Sequence, residues 1–219
     1  MPQLAMLAVP VGLLSGGVVI LFRILVESSQ GMLLPGADVE NYEGLSPALR
    51  LALPVAGGLL IGLLWQALKH GVRNVGITHV MERLAYHQGR LPWRNALMQF
   101  IGAALSIISG HSVGREGPSV HLGATSGSWL GQWLRLPNNT NRTLAACGIA
   151  AALAASFNTP LAGDIFAMEV VMMEYSLVSF APVILSAVTA TTLTRAVFGN
   201  MPVFIIPHMQ LGSLMELPY

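Results

Sequence analysis

Arg115 and Glu116 stand between two stretches without a charged residue, Asn95 to Gly114 and Pro118 to Leu134. At membrane depth an ion costs at least ~2.5 kcal/mol to hold, so a charged pair kept there marks a functional site. The neighbours Gly114, Gly117 and Pro118 suit the same purpose. Proline fits the first position of a helix, and glycine before it lets another group approach the backbone. A helix beginning near Pro118 would aim its free N–H groups at Glu116, and such helix starts carry about half a positive charge and bind anions. A carboxylate in that place can occupy an anion's position while ionised and leave it when protonated or outcompeted. Glu116 therefore reads as a tethered anion that gates a mobile one. Arg115 has two readings, an anion ligand or a partner that holds the broken backbone, and the adjacent glutamate favours the structural role. The plain alternative for both is a buried ion pair with no task beyond structure.

The elements that must position this pair are apolar. The 219-residue chain is 53% hydrophobic and 10% charged, with a mean hydropathy of +0.63, against about 25% charged residues in soluble domains. Charge-free windows long enough for a bilayer core of roughly 30 Å run over Leu4 to Phe22, Leu51 to Leu68, Asn95 to Gly114, Pro118 to Leu134, Thr143 to Gly163 and Tyr175 to Thr194. The first is not a convincing signal peptide, because no positive charge precedes it and no polar domain follows. The loop from Glu27 to Ser46 holds Glu27, Asp38, Glu40 and Glu43 and no Lys or Arg. The segment from Lys69 to Arg94 holds Lys69, Arg73, Arg83, Arg90 and Arg94 against Glu82. Cationic loops favour the cytoplasm, which places that segment and the N-terminus on the cytoplasmic side.

Gly and Pro interrupt the later runs at Gly114 to Pro118, at Asn158-Thr159-Pro160 and at Pro182. Broken helices at membrane depth belong to transporters and channels. Gly123, Gly127 and Gly131 recur every fourth residue, a spacing for close helix packing, and Gly58 with Gly62 reads the same way. The lone Cys147 lies in an alanine-rich run and fits a small core residue. Eleven Lys and Arg residues form no stripe interleaved with aromatics, which argues against a nucleic-acid partner. His70, His79, His87, His111, His121 and His208 have no metal-ligand spacing, so no metal and no cofactor is expected. His111 and His121 flank the gate and could tune its protonation, although a hydrogen bond to backbone is the commoner fate of such histidines.

The stretch Ser112-Val113-Gly114-Arg115-Glu116-Gly117-Pro118-Ser119-Val120 resembles the gating-glutamate motif of the CLC chloride channels and chloride/proton antiporters. Cys147-Gly148 through Phe157-Asn158-Thr159-Pro160-Leu161-Ala162-Gly163 to Phe166-Ala167-Met168-Glu169 is similar to that family's segment leading into its dimer-interface helices. The resemblance implies an all-α, polytopic membrane protein with broken and re-entrant helices. Residues 1–219 would form one inverted-repeat half of a CLC-type domain, the N-terminal one. It further implies chloride as the transported ion, homodimerisation through the apolar helices after Pro160 and from Ser176 to Thr194, contact with membrane lipid, and a bacterial inner-membrane location.

On that resemblance Glu116 corresponds to the gating glutamate, and backbone at Gly114, Arg115, Gly117 and Pro118 lines anion positions. The family's other anion-binding turn corresponds to Asn74-Val75-Gly76-Ile77-Thr78. Val75 stands where the family has a serine whose hydroxyl meets the anion, so coordination falls to backbone N–H groups and Asn74. The position of the family's internal proton-transfer glutamate falls at Val170, which resembles channel-type members. Glu169 or Asp164 could supply another proton path, a water-filled vestibule being the simpler explanation for Asp164. The resemblance stops at Leu217-Pro218-Tyr219 where the second half would begin, and neither Tyr175 nor Tyr219 has the motif context of the family's anion-facing tyrosine.

The expected function is a voltage-gated-type chloride channel or transporter, not an enzyme. Two alternatives stand beside it. One is an incomplete, non-conducting membrane scaffold; the other is an intramembrane serine hydrolase built on Ser126 with His121, for which no oxyanion hole is evident.

Overall fold

The computed structural model describes residues 2–37, 41–68, 70–173 and 177–199. The expectations resting on Asp38, Glu40, Lys69, Tyr175, Ser176, His208 and Leu217 to Tyr219 fall outside them. Among the described residues eight α-helices carry the fold: α1 (Pro2–Leu33), α2 (Pro47–Ala67), α3 (Gly76–Tyr86), α4 (Trp93–Ile108), α5 (Glu116–Trp133), α6 (Asn138–Phe157), α7 (Pro160–Ile165) and α8 (Leu177–Phe198). Among the described residues there is no strand. Three of these helices are long and apolar enough to cross a membrane, over Leu4–Leu33, Pro47–Ala67 and Phe180–Phe198.

α6 is the centre of the fold. Its middle, from Thr143 to Ala155, is buried without interruption, and a helix apolar on every side belongs in an interior. α5 lies along one flank of α6, α1 and α8 along the others, and α3 and α4 pack on α5. The α5–α6 seam explains the four-residue glycine spacing. A Cβ on Gly123 would strike the carbonyl oxygen of Gly148, one on Gly127 the carbonyl oxygen of Leu144, and one on Gly131 the side-chain oxygen of Asn141. The two backbones approach as closely as small residues permit.

Gly58 and Gly62 differ from expectation. A Cβ at Gly62 would meet nothing within 4 Å, and at Gly58 only the His111 ring at 3.6 Å. α2 touches the body through other small residues, since Gly57 abuts Ser109 and Gly102 of α4 receives the Trp65 ring. Gly62→Ala is therefore expected to leave the thermal unfolding midpoint unchanged or to add about 0.5–1 kcal/mol through helix propensity.

Two features also depart from the sequence reading, and a third follows it. α1 runs on through Arg23 and Glu27 to Leu33, so Glu27 belongs to a helix and not to the acidic loop. Arg23 Nε donates to Glu27 Oε1 at 2.6 Å, one turn along, and its guanidinium lies 4.2 Å above the Phe198 ring of α8. An internally paired, half-covered charge extends the helix instead of ending it. α8 passes through Pro182 without a break; a membrane helix tolerates the lost N–H when neighbouring helices satisfy the freed groups, and Pro182 is buried. The break at Asn158-Thr159 does occur. Asn158 takes the left-handed conformation (φ 56°) that ends α6, and Arg195 Nε reaches its side-chain oxygen at 2.8 Å.

Candidate anion-gating site

α5 begins at Glu116, two residues before the expected start at Pro118. Pro118 becomes the third helical residue, and the local hydrogen bonding follows. Ser119 N donates to Arg115 O at 3.0 Å and Pro118 has no N–H, which leaves the amides of Glu116 and Gly117 as the unpaired donors of this helix start among the described residues. The Ser119 hydroxyl also donates to Arg115 O (2.7 Å) and pairs with Ser156 Oγ of α6 (2.7 Å). α5 is thereby tied to the far end of the central helix.

Glu116 itself is exposed. Its carboxylate folds back over Gly114, whose missing Cβ would otherwise occupy the space of Oε2. Arg115 is half-buried. It lines a cavity of about 10 Å³ with Arg23, Ser119 and Ser156, room for roughly one water.

The segment before α5 is pinned from the other side. Gly110 bends with φ +79° beneath the Tyr42 ring, which a Cβ there would meet at 2.9 Å. The Tyr42 hydroxyl donates to the α4 terminus, at Ile107 O (2.8 Å) or Ile108 O (3.0 Å), and accepts from Gln30 Nε2 (3.0 Å). A part-buried polar bridge of this kind fixes where α4 stops and hence where the segment leading to α5 starts.

α3 begins at Gly76 behind an extended Val75 (φ −139°, ψ 172°), and no side chain caps it. Asn74 and Thr78 are exposed, while Val75, Gly76 and Ile77 are half-buried. The turn is held by Asn95 of α4, whose Nδ2 donates to Gly71 O (2.9 Å) and Asn74 O (2.8 Å). Asn95 went unread in the sequence, though a polar residue opening an apolar run was the available signal. α3 and α5 run side by side in the same sense. His79, the fourth residue of α3, meets His121, the sixth of α5, edge to face at 5.5 Å, and the loop after α3 meets Ser128 further along α5 through Leu91 N. Both uncapped helix starts therefore sit at one end of the pair.

Several expected residues are placed elsewhere. Asp164 is 2% exposed with Oδ1 unpartnered; it faces the bundle interior, so the water-filled vestibule is set aside. Glu169 and Val170 are both exposed and lie in a π-helical turn, Phe166–Met172, that continues α7. His121 is fully buried, and neither ring nitrogen has a hydrogen-bond partner, unlike the backbone bond expected for it. His111 does meet backbone, at Ser106 O (3.2 Å). Ser126 Oγ donates to Leu122 O of its own helix at 2.8 Å, so no Ser–His hydrogen bond supports hydrolase chemistry. Cys147 is buried in the core, as expected.

Residues 57–219 match the family described as Voltage gated chloride channel. The chain belongs to this family. It is 38% identical over 191 residues to the putative chloride channel protein ClcB-like of Ralstonia nicotianae, covering 84% of this chain and 44% of that protein. It is 31% identical over 210 residues to the voltage-gated ClC-type chloride channel ClcB of Salmonella typhi, covering 93% and 50%. The fold matches a CLC-type fluoride/proton antiporter with a TM-score of 0.74 at 28% identity, over 97% of this chain and 51% of that one. It matches a slow cyanobacterial Cl−/H+ antiporter with a TM-score of 0.73 at 23% identity, over 99% and 52%. The chain thus spans about half the length of the relatives it matches. Like the family it is an integral membrane protein, all-helical and equivalent to one half of the CLC fold.

Proposed function

We propose that this chain forms the gate-bearing half of a chloride-conducting CLC protein, with Glu116 as the gate. The observation that carries the reading is the bare electropositive start of α5: two unpaired amides at Glu116 and Gly117 beside an exposed carboxylate that no described group holds in place. A halide and the carboxylate compete for those amides, with the start of α3 at Gly76 supplying further backbone donors from the same end. Arg115 acts as a support of the motif's backbone, because its carbonyl accepts from both the amide and the hydroxyl of Ser119. The Val75 substitution leaves the α3 turn to backbone coordination and Asn74. Val170 in place of a carboxylate supports channel-type conduction, and Glu169, exposed in the adjacent position, is the candidate for proton entry if transport is coupled. The relatives' names supply the ion: the Ralstonia and Salmonella proteins are chloride channels by description.

The protein is proposed to sit in a bacterial inner membrane with its N-terminus in the cytoplasm. Exposed Leu161, Ile165, Leu185 and Val188 give the α7–α8 region an apolar face for a second copy. The alternative of a non-conducting scaffold rests on the half-length match alone.

Chloride binding to the purified protein, measured by calorimetry, tests the gate. Glu116→Gln removes the tethered competitor and is expected to raise chloride affinity at neutral pH by about tenfold, the worth of roughly one charge-assisted hydrogen bond. In proteoliposomes the same variant should flatten the pH dependence of chloride efflux. Unchanged affinity and an unchanged pH profile would remove Glu116 from the role.

A further inference from the structure

At the other end of α5, about 27 Å from Glu116 for 18 helical residues, lies a second concentration of positive charge that the gate does not use. A polar pocket of about 300 Å³ opens between the α3–α4 loop and the α5–α6 turn, lined by Arg90, Gln132, Arg135 and Asn141 with Gly131 and Leu136. Neither Arg90 nor Arg135 pairs with a carboxylate among the described residues.

The walls are built rather than incidental. Buried Ser128 donates to Gly89 O at 2.6 Å and accepts from Leu91 N at 3.0 Å. Buried Asn141 donates to Gly89 O at 2.8 Å, and Arg83 Nε to Arg90 O at 2.9 Å. Gln132 Nε2 bridges Leu91 O and Ser128 Oγ. Arg135 takes the left-handed conformation (φ 52°) at the turn closed by Leu136 N to Gly131 O (3.0 Å). Glycine occupies such a position without steric cost, so a guanidinium is kept there against local preference. The same turn leads into α6, whose first turn has no acidic residue and no side-chain cap. Two guanidiniums thus line one pocket beside an uncapped helix start, with no carboxylate paired to them among the described residues, an arrangement that fits a phosphate.

The source of that phosphate follows from depth. Trp93, Trp129 and Trp133 are all more than half exposed, Trp129 and Trp133 stacked at 6.5 Å, and exposed tryptophans of a membrane protein gather at headgroup level. An apolar slot of about 370 Å³ between α1, α4 and α5 has Trp93 and Trp129 in its wall. Arg90 precedes Trp93 by three residues and Gln132 follows Trp129 by three. We propose that the pocket is a binding site for an anionic phospholipid, its phosphate held by Arg90 and Arg135 and an acyl chain lying in the slot.

The test titrates the purified protein in mild detergent with phosphatidylglycerol, phosphatidylcholine and inorganic phosphate, following the unfolding temperature, which rises with any ligand of the folded state. Phosphatidylglycerol is expected to raise it, and the other two to leave it in place. Arg90→Gln combined with Arg135→Gln should weaken the phosphatidylglycerol response at least about tenfold, whereas Arg94→Gln, which removes a charge beside Trp93 but outside the pocket, should not. If the double variant fails to fold, Gln132→Glu sets a carboxylate in the same wall and should weaken the response likewise. Equal responses to the two lipids, or an undiminished response in a monodisperse double variant, would overturn the site. Stabilisation by inorganic phosphate matching that by phosphatidylglycerol would replace the lipid with a soluble phosphate and overturn the lipid assignment.

Discussion

Gly127→Val is expected to prevent the protein from being recovered as a monodisperse species, and Gly127→Ala to lower stability by about 3 kcal/mol. The Cβ of either residue points at the Leu144 carbonyl oxygen, with Ala145 Cα at 3.1 Å behind it. Both obstacles are backbone of the central helix, so no side-chain rotation can relieve the overlap. Separating α5 from α6 would open the contacts on both sides, because Gly148 of α6 is in turn packed on Gly123 O and lies 3.1 Å from Gly127 N when given a Cβ. It would also strain the Ser119–Ser156 hydrogen bond that anchors the start of α5. Size-exclusion profile and thermal unfolding in detergent check the prediction, with Gly62→Ala as the matched control on an open helix face. A Gly127→Ala protein with a wild-type midpoint would mean that the two helices are further apart than described.

Asp164→Val should act in the opposite direction, raising stability by about 1–3 kcal/mol. Asp164 is 2% exposed and its Oδ1 has no hydrogen-bond partner, while Gly163 beside it is pressed on Ala150 O at 2.7 Å for a built Cβ. A buried polar atom left without a partner costs its full desolvation, and an apolar side chain of similar size removes that cost. Asp164→Asn keeps a polar group in place and should gain little. A fall in midpoint for Asp164→Val would show that the carboxylate acquires a partner in the assembled membrane protein. Retained stability with altered chloride efflux would then direct attention to Asp164 as a proton-path residue.

The helices were largely legible from the sequence, as was the isolated Arg115-Glu116 pair on which the proposed gate rests. Charge-free length marks helices in a lipid setting because a spanning chain must satisfy its own backbone, and a lone Arg-Glu pair between two such windows is conspicuous for the cost of placing it there. Helix ends were less legible. The start of α5 at Glu116 rather than Pro118 depends on Ser119 returning its N–H and hydroxyl to Arg115 O. The continuation of α1 depends on Phe198, 175 positions away, covering Arg23. Glycine spacing identified the α5–α6 seam but misassigned Gly58 and Gly62, since the same spacing packs a helix only where a partner lies opposite.

By itself the sequence determined that this is an all-helical membrane chain with an isolated Arg115-Glu116 pair between two apolar runs, because solvation energy is local and can be summed along the chain. Only the tertiary structure decided that the starts of α3 and α5 share one end, that Asp164 faces the interior, and that Arg90 and Arg135 meet across a pocket. Those facts arise from contacts between residues distant in sequence, whose geometry is set by how closely α5 and α6 can approach.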